Sequence, residues 1–126
     1  MDHATEYVLF KQNIGPCLCI DETSLSCGEL YTVVTNRADR SGRGNLVAMI
    51  RGTKSEEVIK VLEMIHVSKR KTVKEVTLNF SPTMIRTVRT TFPNTTMTND
   101  RFHVQKLFYE AIGAVSYTHL TLPTIA

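Results

Sequence analysis

The chain has 126 residues, 42% hydrophobic and 21% charged, with a formal net charge of +3. That is enough for one domain with a core of ordinary size, and the balance excludes a disordered polyelectrolyte. No apolar run approaches the roughly 20 residues that span a bilayer, and "MDHATEYVLFKQ" lacks the basic-then-apolar order of a secretion signal. A cytoplasmic protein without membrane contact is therefore expected. Cys17, Cys19 and Cys27, an odd set with C-x-C spacing, suit reduced structural thiols better than disulfides or a zinc knuckle.

Residues 1–15 read as a short polar lead. "PCLCIDETS" then predicts a first strand, "ELYTVVTNR" a second and "NLVAMIRG" a third, each rich in β-branched or apolar residues. "RADRSGRG", with Gly42 and Gly44, reads as the hairpin loop between the second and third. In "TKSEEVIKVLEMIH" the period changes, because Val58, Val61, Leu62 and Ile65 fall on one helical face. Thr53 and Glu56 have the spacing of a capping box at its start.

"VKEVTLNF" predicts a fourth strand. A second helix follows over "SPTMIRTVRTTF", with Ser81 as N-cap and Pro82 at the first helical position, closed by Pro93 and Asn94. "TTMTN" predicts a short strand. Asp100 then opens a third helix with Val104, Leu107, Phe108, Ala111 and Ile112 as its apolar stripe. The tail "AVSYTHLTLPTIA" has no charge and breaks that stripe, so residues 115–126 read as a foreign read-through after a domain over 16–114.

The order β-β-β-α-β-α-β-α predicts an α/β fold: an antiparallel meander joined by parallel strands into one mixed sheet with flanking helices. The helix between the third and fourth strands lets the fourth lie parallel beside the first. The ends of "LCID" and "VTLN" then meet, and Asp21 and Asn79 share the mouth of one cleft.

Two acids, Asp21 and Glu22, end an apolar run, where charge is costly to desolvate. Strand alternation lets only one face the cleft, and Asp21 is the better placed. Water, a basic side chain or a hard cation could each satisfy it. In "DRFH", Asp100 can cap its helix and His103 can bond back to it. Basic residues gather as Arg37, Arg40 and Arg43 in the hairpin link and as Lys69, Arg70, Lys71 and Lys74 before the fourth strand. They are either a solvated surface or phosphate contacts on DNA. No phosphate-binding loop, G-x-S-x-G, HExxH or paired CxxC is present.

Together, "CLCIDETSLSCGELYTVVTNR", "VAMIRGTKSEEVIKVLEMI", "VKEVTLNFSPTM" and "FPNTTMTNDRFHVQKL" resemble the catalytic domain of bacterial insertion-sequence DDE transposases. The likeness is to the ISL type and, within it, an Aon-like subgroup. It implies a ribonuclease-H-like fold, here truncated at its C-terminal end. It also implies three carboxylates that hold two Mg²⁺ (or Mn²⁺) ions for phosphoryl transfer at transposon ends and target DNA. A homo-oligomer is implied for the intact parent.

By this resemblance Asp21 is the first carboxylate and a metal ligand. Asn79 stands in "TLNFS" where the family reads "TLDMS", so an uncharged amide replaces the second. Asp100 and His103 match a D-x-x-H element that shapes the active site, and the third acid falls beyond this chain. The resemblance implies a chain that cuts DNA slowly or not at all. The alternative is a non-catalytic DNA-binding remnant that uses the two basic groups.

Overall fold

In the computed structural model, residues 5–24, 28–37, 46–99 and 124–125 are described. The expected meander is present as β2 (Cys17–Ser24), β3 (Leu30–Asn36) and β4 (Leu46–Arg51). β2 and β3 pair antiparallel with Ile20 opposite Val34 and Asp21 opposite Val33, and β3 pairs antiparallel with β4 through Val33 and Met49. A bulge between Val34 and Thr35 shifts the second register.

The fourth expected strand, β5 (Glu75–Leu78), lies parallel to β2, with Cys17 opposite Glu75 and Ile20 opposite Leu78. β6 (Thr96–Asn99) extends the parallel part, with Leu78 opposite Asn99. Such parallel pairs need a crossover, and the helical segments before and after β5 supply it. This is the mixed α/β sheet that the element order predicts, and it is consistent with the ribonuclease-H-like fold that the resemblance implies.

The N-terminal lead differs from its reading as a polar segment. Thr5–Leu9 form a strand, β1, antiparallel to β4, with Val8 opposite Met49, and a 3₁₀ turn follows at Lys11–Asn13. The physical reason is the run Tyr7–Phe10, which supplies apolar side chains for the free edge of β4. Val8 and Phe10 pack against a cluster of Tyr31, Val33, Leu46 and Met49. Two residues of the tail read as foreign, Thr124–Ile125, form β7 beside β1. The sheet order is β6-β5-β2-β3-β4-β1-β7.

The helices are shorter than the periodicity suggests. α1 spans Ser55–Leu62, and a separate turn of helix, α2, spans Val67–Arg70. Thr53 does not cap α1. The N-cap position belongs to Lys54, which has no side-chain acceptor, so the expected capping box is absent. Gly52 turns the chain out of β4 at φ +103, a conformation that favours glycine. α3 (Pro82–Thr91) begins as expected, with Ser81 Oγ accepting from the Met84 N–H at 3.3 Å and Pro82 in the first turn.

α1 and α3 place Val58, Val61, Leu62, Met84 and Val88 against Leu18, Ile20, Val34, Val76 and Leu78 of the sheet. Phe92, 1% exposed, is among the largest fully buried side chains. The expected third helix from Asp100, with its stripe from Val104 to Ile112, lies outside the described residues.

Candidate functional site

Two parallel strands ending side by side create an edge where no further ladder consumes the backbone, a common position for ligands in α/β sheets. Here the edge forms where β5 stops. Ile20 and Leu78 are the last paired residues, so Asp21 and Asn79 are the next residues on adjacent strands about 4.8 Å apart. Among the described residues, β2 continues past this point with only β3 beside it. Of the residues expected to share the cleft, these two are brought together.

Asp21 is half-buried, and its Oδ1 accepts from the Glu22 N–H at 2.8 Å. Burial raises its pKa above the ordinary 3.8, while that hydrogen bond lowers it and wins less. No basic side chain pairs with it among the described residues. Alternation puts Glu22 on the other face, where it is more exposed. Its pKa is also raised, by partial desolvation first and then by the Asp21 charge. Asn79 is exposed, and its carbonyl accepts from the Ser81 N–H at 2.7 Å in the turn that leads into α3.

Other acids gather at the same end of the strands. Glu6 and Glu29 both accept hydrogen bonds from Arg51, the former at 2.6 Å, which ties β1, β4 and the segment before β3 together. They are thus committed to a cation already present. Among the described residues, no group of three or more His, Cys, Asp or Glu could hold a metal ion. Asp100 and His103 lie outside the described residues.

The basic residues are elsewhere. Arg37 follows β3, and its N–H donates to the Cys17 carbonyl at 2.9 Å, which places it at the start of β2. Its guanidinium donates to Thr77 Oγ1 at 2.9 Å and stands 3.8 Å from Glu75. Lys74 precedes β5, and its N–H donates to the Pro16 carbonyl at 2.8 Å. Lys69 and Lys71 are exposed beside it, whereas the Arg70 guanidinium donates to the carbonyls of Ile65 (2.9 Å) and Thr91 (3.0 Å). Arg40 and Arg43 lie outside the described residues. Four residues of parallel strand, about 13 Å, separate these groups from the Asp21 end.

Sequence reasoning missed Lys11, in the turn after β1. Its signal was the run "YVLF", which is long enough for an edge strand. It also missed Phe80, which stands 47% exposed directly after Asn79.

Residues 18–121 match the DDE transposase family of the ISL3 type. The chain belongs to that family. No curated protein matches it. Membership gives this transposase domain a role in DNA transposition, DNA as its partner and a general dependence on divalent metal. Among the described residues no helix is long and apolar enough to cross a membrane.

The residues of the transposase edge can be weighed against that metal requirement. Asp21 is a half-buried carboxylate with no basic partner described, which suits one hard cation. Asn79 offers a neutral carbonyl oxygen, and Glu22 faces away. Among the described residues this donor set fits one anchoring carboxylate and does not fit a pair of divalent ions, whose mutual repulsion demands more negative charge.

Proposed function

We propose that this chain carries the cleavage edge of a DDE transposase in a weakened form. Asp21 is its first carboxylate and metal ligand, Mg²⁺ (or Mn²⁺) is its cation, and Asn79 occupies the place of the second carboxylate. The supporting observation is the parallel pairing of β2 with β5, which sets Asp21 and Asn79 side by side at one sheet edge. Because an amide adds no charge, the chain binds a metal pair poorly and cuts DNA slowly or not at all. Asp100 and His103 are supports that shape the site, and the parent acts as a homo-oligomer of the Aon-like subgroup in the cytoplasm.

The decisive experiment compares the full-length parent with its Asn79→Asp variant in nicking transposon-end DNA under Mg²⁺. Faster nicking by the variant is expected. Equal rates would overturn the proposal. Sequencing the source locus across codon 79 and past codon 115 tests whether the asparagine and the tail belong to the gene.

A second reading, a non-catalytic DNA-binding remnant, is favoured by one observation. Lys69, Lys71 and Lys74 are exposed and form no ion pair among the described residues. It predicts binding that is salt-sensitive, blind to sequence and indifferent to Mg²⁺. Binding that is unchanged from low to high salt would exclude it.

A further inference from the structure

Charge in this domain is sorted along the strand axis. The end of β2 and the starts of β1, β3 and α1 carry Glu6, Asp21, Glu22, Glu29, Glu56 and Glu57. Against these six acids stand Arg51, Lys54 and Arg86, of which Arg51 pairs with Glu6 and Glu29 and Arg86 with Glu56. The opposite end carries Lys11, Arg37, Lys69, Lys71 and Lys74. Among the described residues its acids are Glu63, at the end of α1, and Glu75, which is already engaged by Arg37 and by the Thr98 hydroxyl at 3.0 Å.

These basic residues come from three separate stretches of sequence, and hydrogen bonds knit their backbones into one rim. The Asn13 side chain donates to the Leu46 carbonyl at 2.9 Å, and the Asn36 side chain donates to the Asn13 carbonyl at 2.8 Å. Arg37 bonds to Cys17, Lys74 to Pro16, and the Thr96 N–H to the Lys74 carbonyl at 2.9 Å. From the end of β1 to the start of β5 the rim crosses four strand spacings, about 19 Å. That is about five or six nucleotide rises along one strand of duplex DNA. Arg70 does not belong to it, since its guanidinium is spent on Ile65 and Thr91. Arg37, whose guanidinium is held by Thr77 and Glu75, serves to anchor the rim while the lysines supply its free charge.

We infer that this rim is a phosphate-contact surface for duplex DNA, separate from the Asp21 edge and working without metal. The inference rests on the DNA role of the domain and adds where the duplex is held. The acidic end repels a polyanion unless cations intervene, so the basic end makes first contact and holds the duplex at the opposite pole from the carboxylate. Lys69, Lys71 and Lys74 have the reach and freedom that backbone contact needs, and Lys11 extends the rim on its other side.

The test uses the whole chain and a fluorescent 20-base-pair duplex in EDTA, with anisotropy read across a salt series. Two charge-matched pairs are compared: Lys69→Gln/Lys74→Gln on the rim, and Lys54→Gln/Arg86→Gln at the acidic end, with folding of each checked by circular dichroism. If the rim binds, its double variant reduces the slope of log Kd against log salt by about 2 and weakens binding about tenfold. The distal pair stays within about twofold of the parent chain, although its net charge is the same. Equal losses in both pairs overturn the placement and leave only a general attraction. Tighter binding to a duplex RNA of the same length overturns the choice of partner. Failure of the parent chain to bind DNA at low salt overturns the DNA-contact reading itself.

Discussion

Replacing Asn79 with aspartate should make the metal-free domain less stable, and bound Mg²⁺ should return most of that loss. Asp21 and residue 79 end adjacent parallel strands, so their carboxylates would stand about 6 Å apart. Two like charges at that distance repel by about 3 kcal/mol at an effective dielectric of about 20, and by about 0.7 kcal/mol in water. Asn79 is exposed and Asp21 half-buried, so a value near the lower end, about 1 to 1.5 kcal/mol, applies. That corresponds to a fall in Tm of roughly 4–6 °C for a chain of this length.

Below the carboxylate range both groups are neutral, and the difference should vanish. With about 10 mM Mg²⁺ and a Kd of about 1 mM, binding returns about 1.4 kcal/mol, whereas a tenfold weaker site in the parent chain returns about 0.4 kcal/mol. Thermal unfolding near neutral pH and near pH 3, with and without Mg²⁺, reads all four values. An identical Mg²⁺ response in both proteins would refute the claim that the missing charge limits metal binding.

Further expectations concern folding and titration. Asp21→Asn should raise Tm at neutral pH. The folded-state pKa of Asp21 is raised, so its contribution is fully present below 3.8 and lost as pH rises through the folded value, and the gain from the variant should disappear in strong acid. A melting series from pH 3 to 7 checks this. Arg70→Ala should cost about 2–3 kcal/mol in urea unfolding, because two carbonyls of fully buried residues lose a charged donor. Lys71→Ala, one residue away and exposed, should stay within about 0.5 kcal/mol. Ser81→Ala should cost about 0.5–1 kcal/mol in the same assay, the lower part of the N-cap range, since its bond is long at 3.3 Å.

The meander and the parallel fourth strand were legible because β-branched runs, a loop with two glycines and an intervening helix leave few topologies open. Asp21 and Asn79 could be placed together for the same reason: both directly follow the apolar run that ends at the sheet edge. The start of α1 was less legible. Thr53 and Glu56 have the right spacing, but Gly52 turns the chain so that Lys54 takes the cap position. β1 carries no period-two signal, since Tyr7 to Leu9 are apolar in succession and one face packs beside α1 while the other covers Met49. Charge was visible but not its geography. Arg37 and Lys74 are far apart in sequence and become neighbours only because β2 pairs with both β3 and β5.

The first strand has a practical consequence for anyone who cuts this domain out of a longer gene. The family match begins at residue 18, yet β1 occupies Thr5–Leu9 and covers the ladder of β4 from Ala48 to Ile50. A clone trimmed to the recognisable segment would bare that ladder, strip Val8 and Phe10 from Met49 and Leu46, and leave Arg51 with one of its two carboxylates. An exposed flat edge of Val, Ala, Met and Ile invites another chain to complete it, and inclusion bodies are the usual result. The smallest unit that keeps the β4 edge covered is therefore longer than the unit that homology outlines.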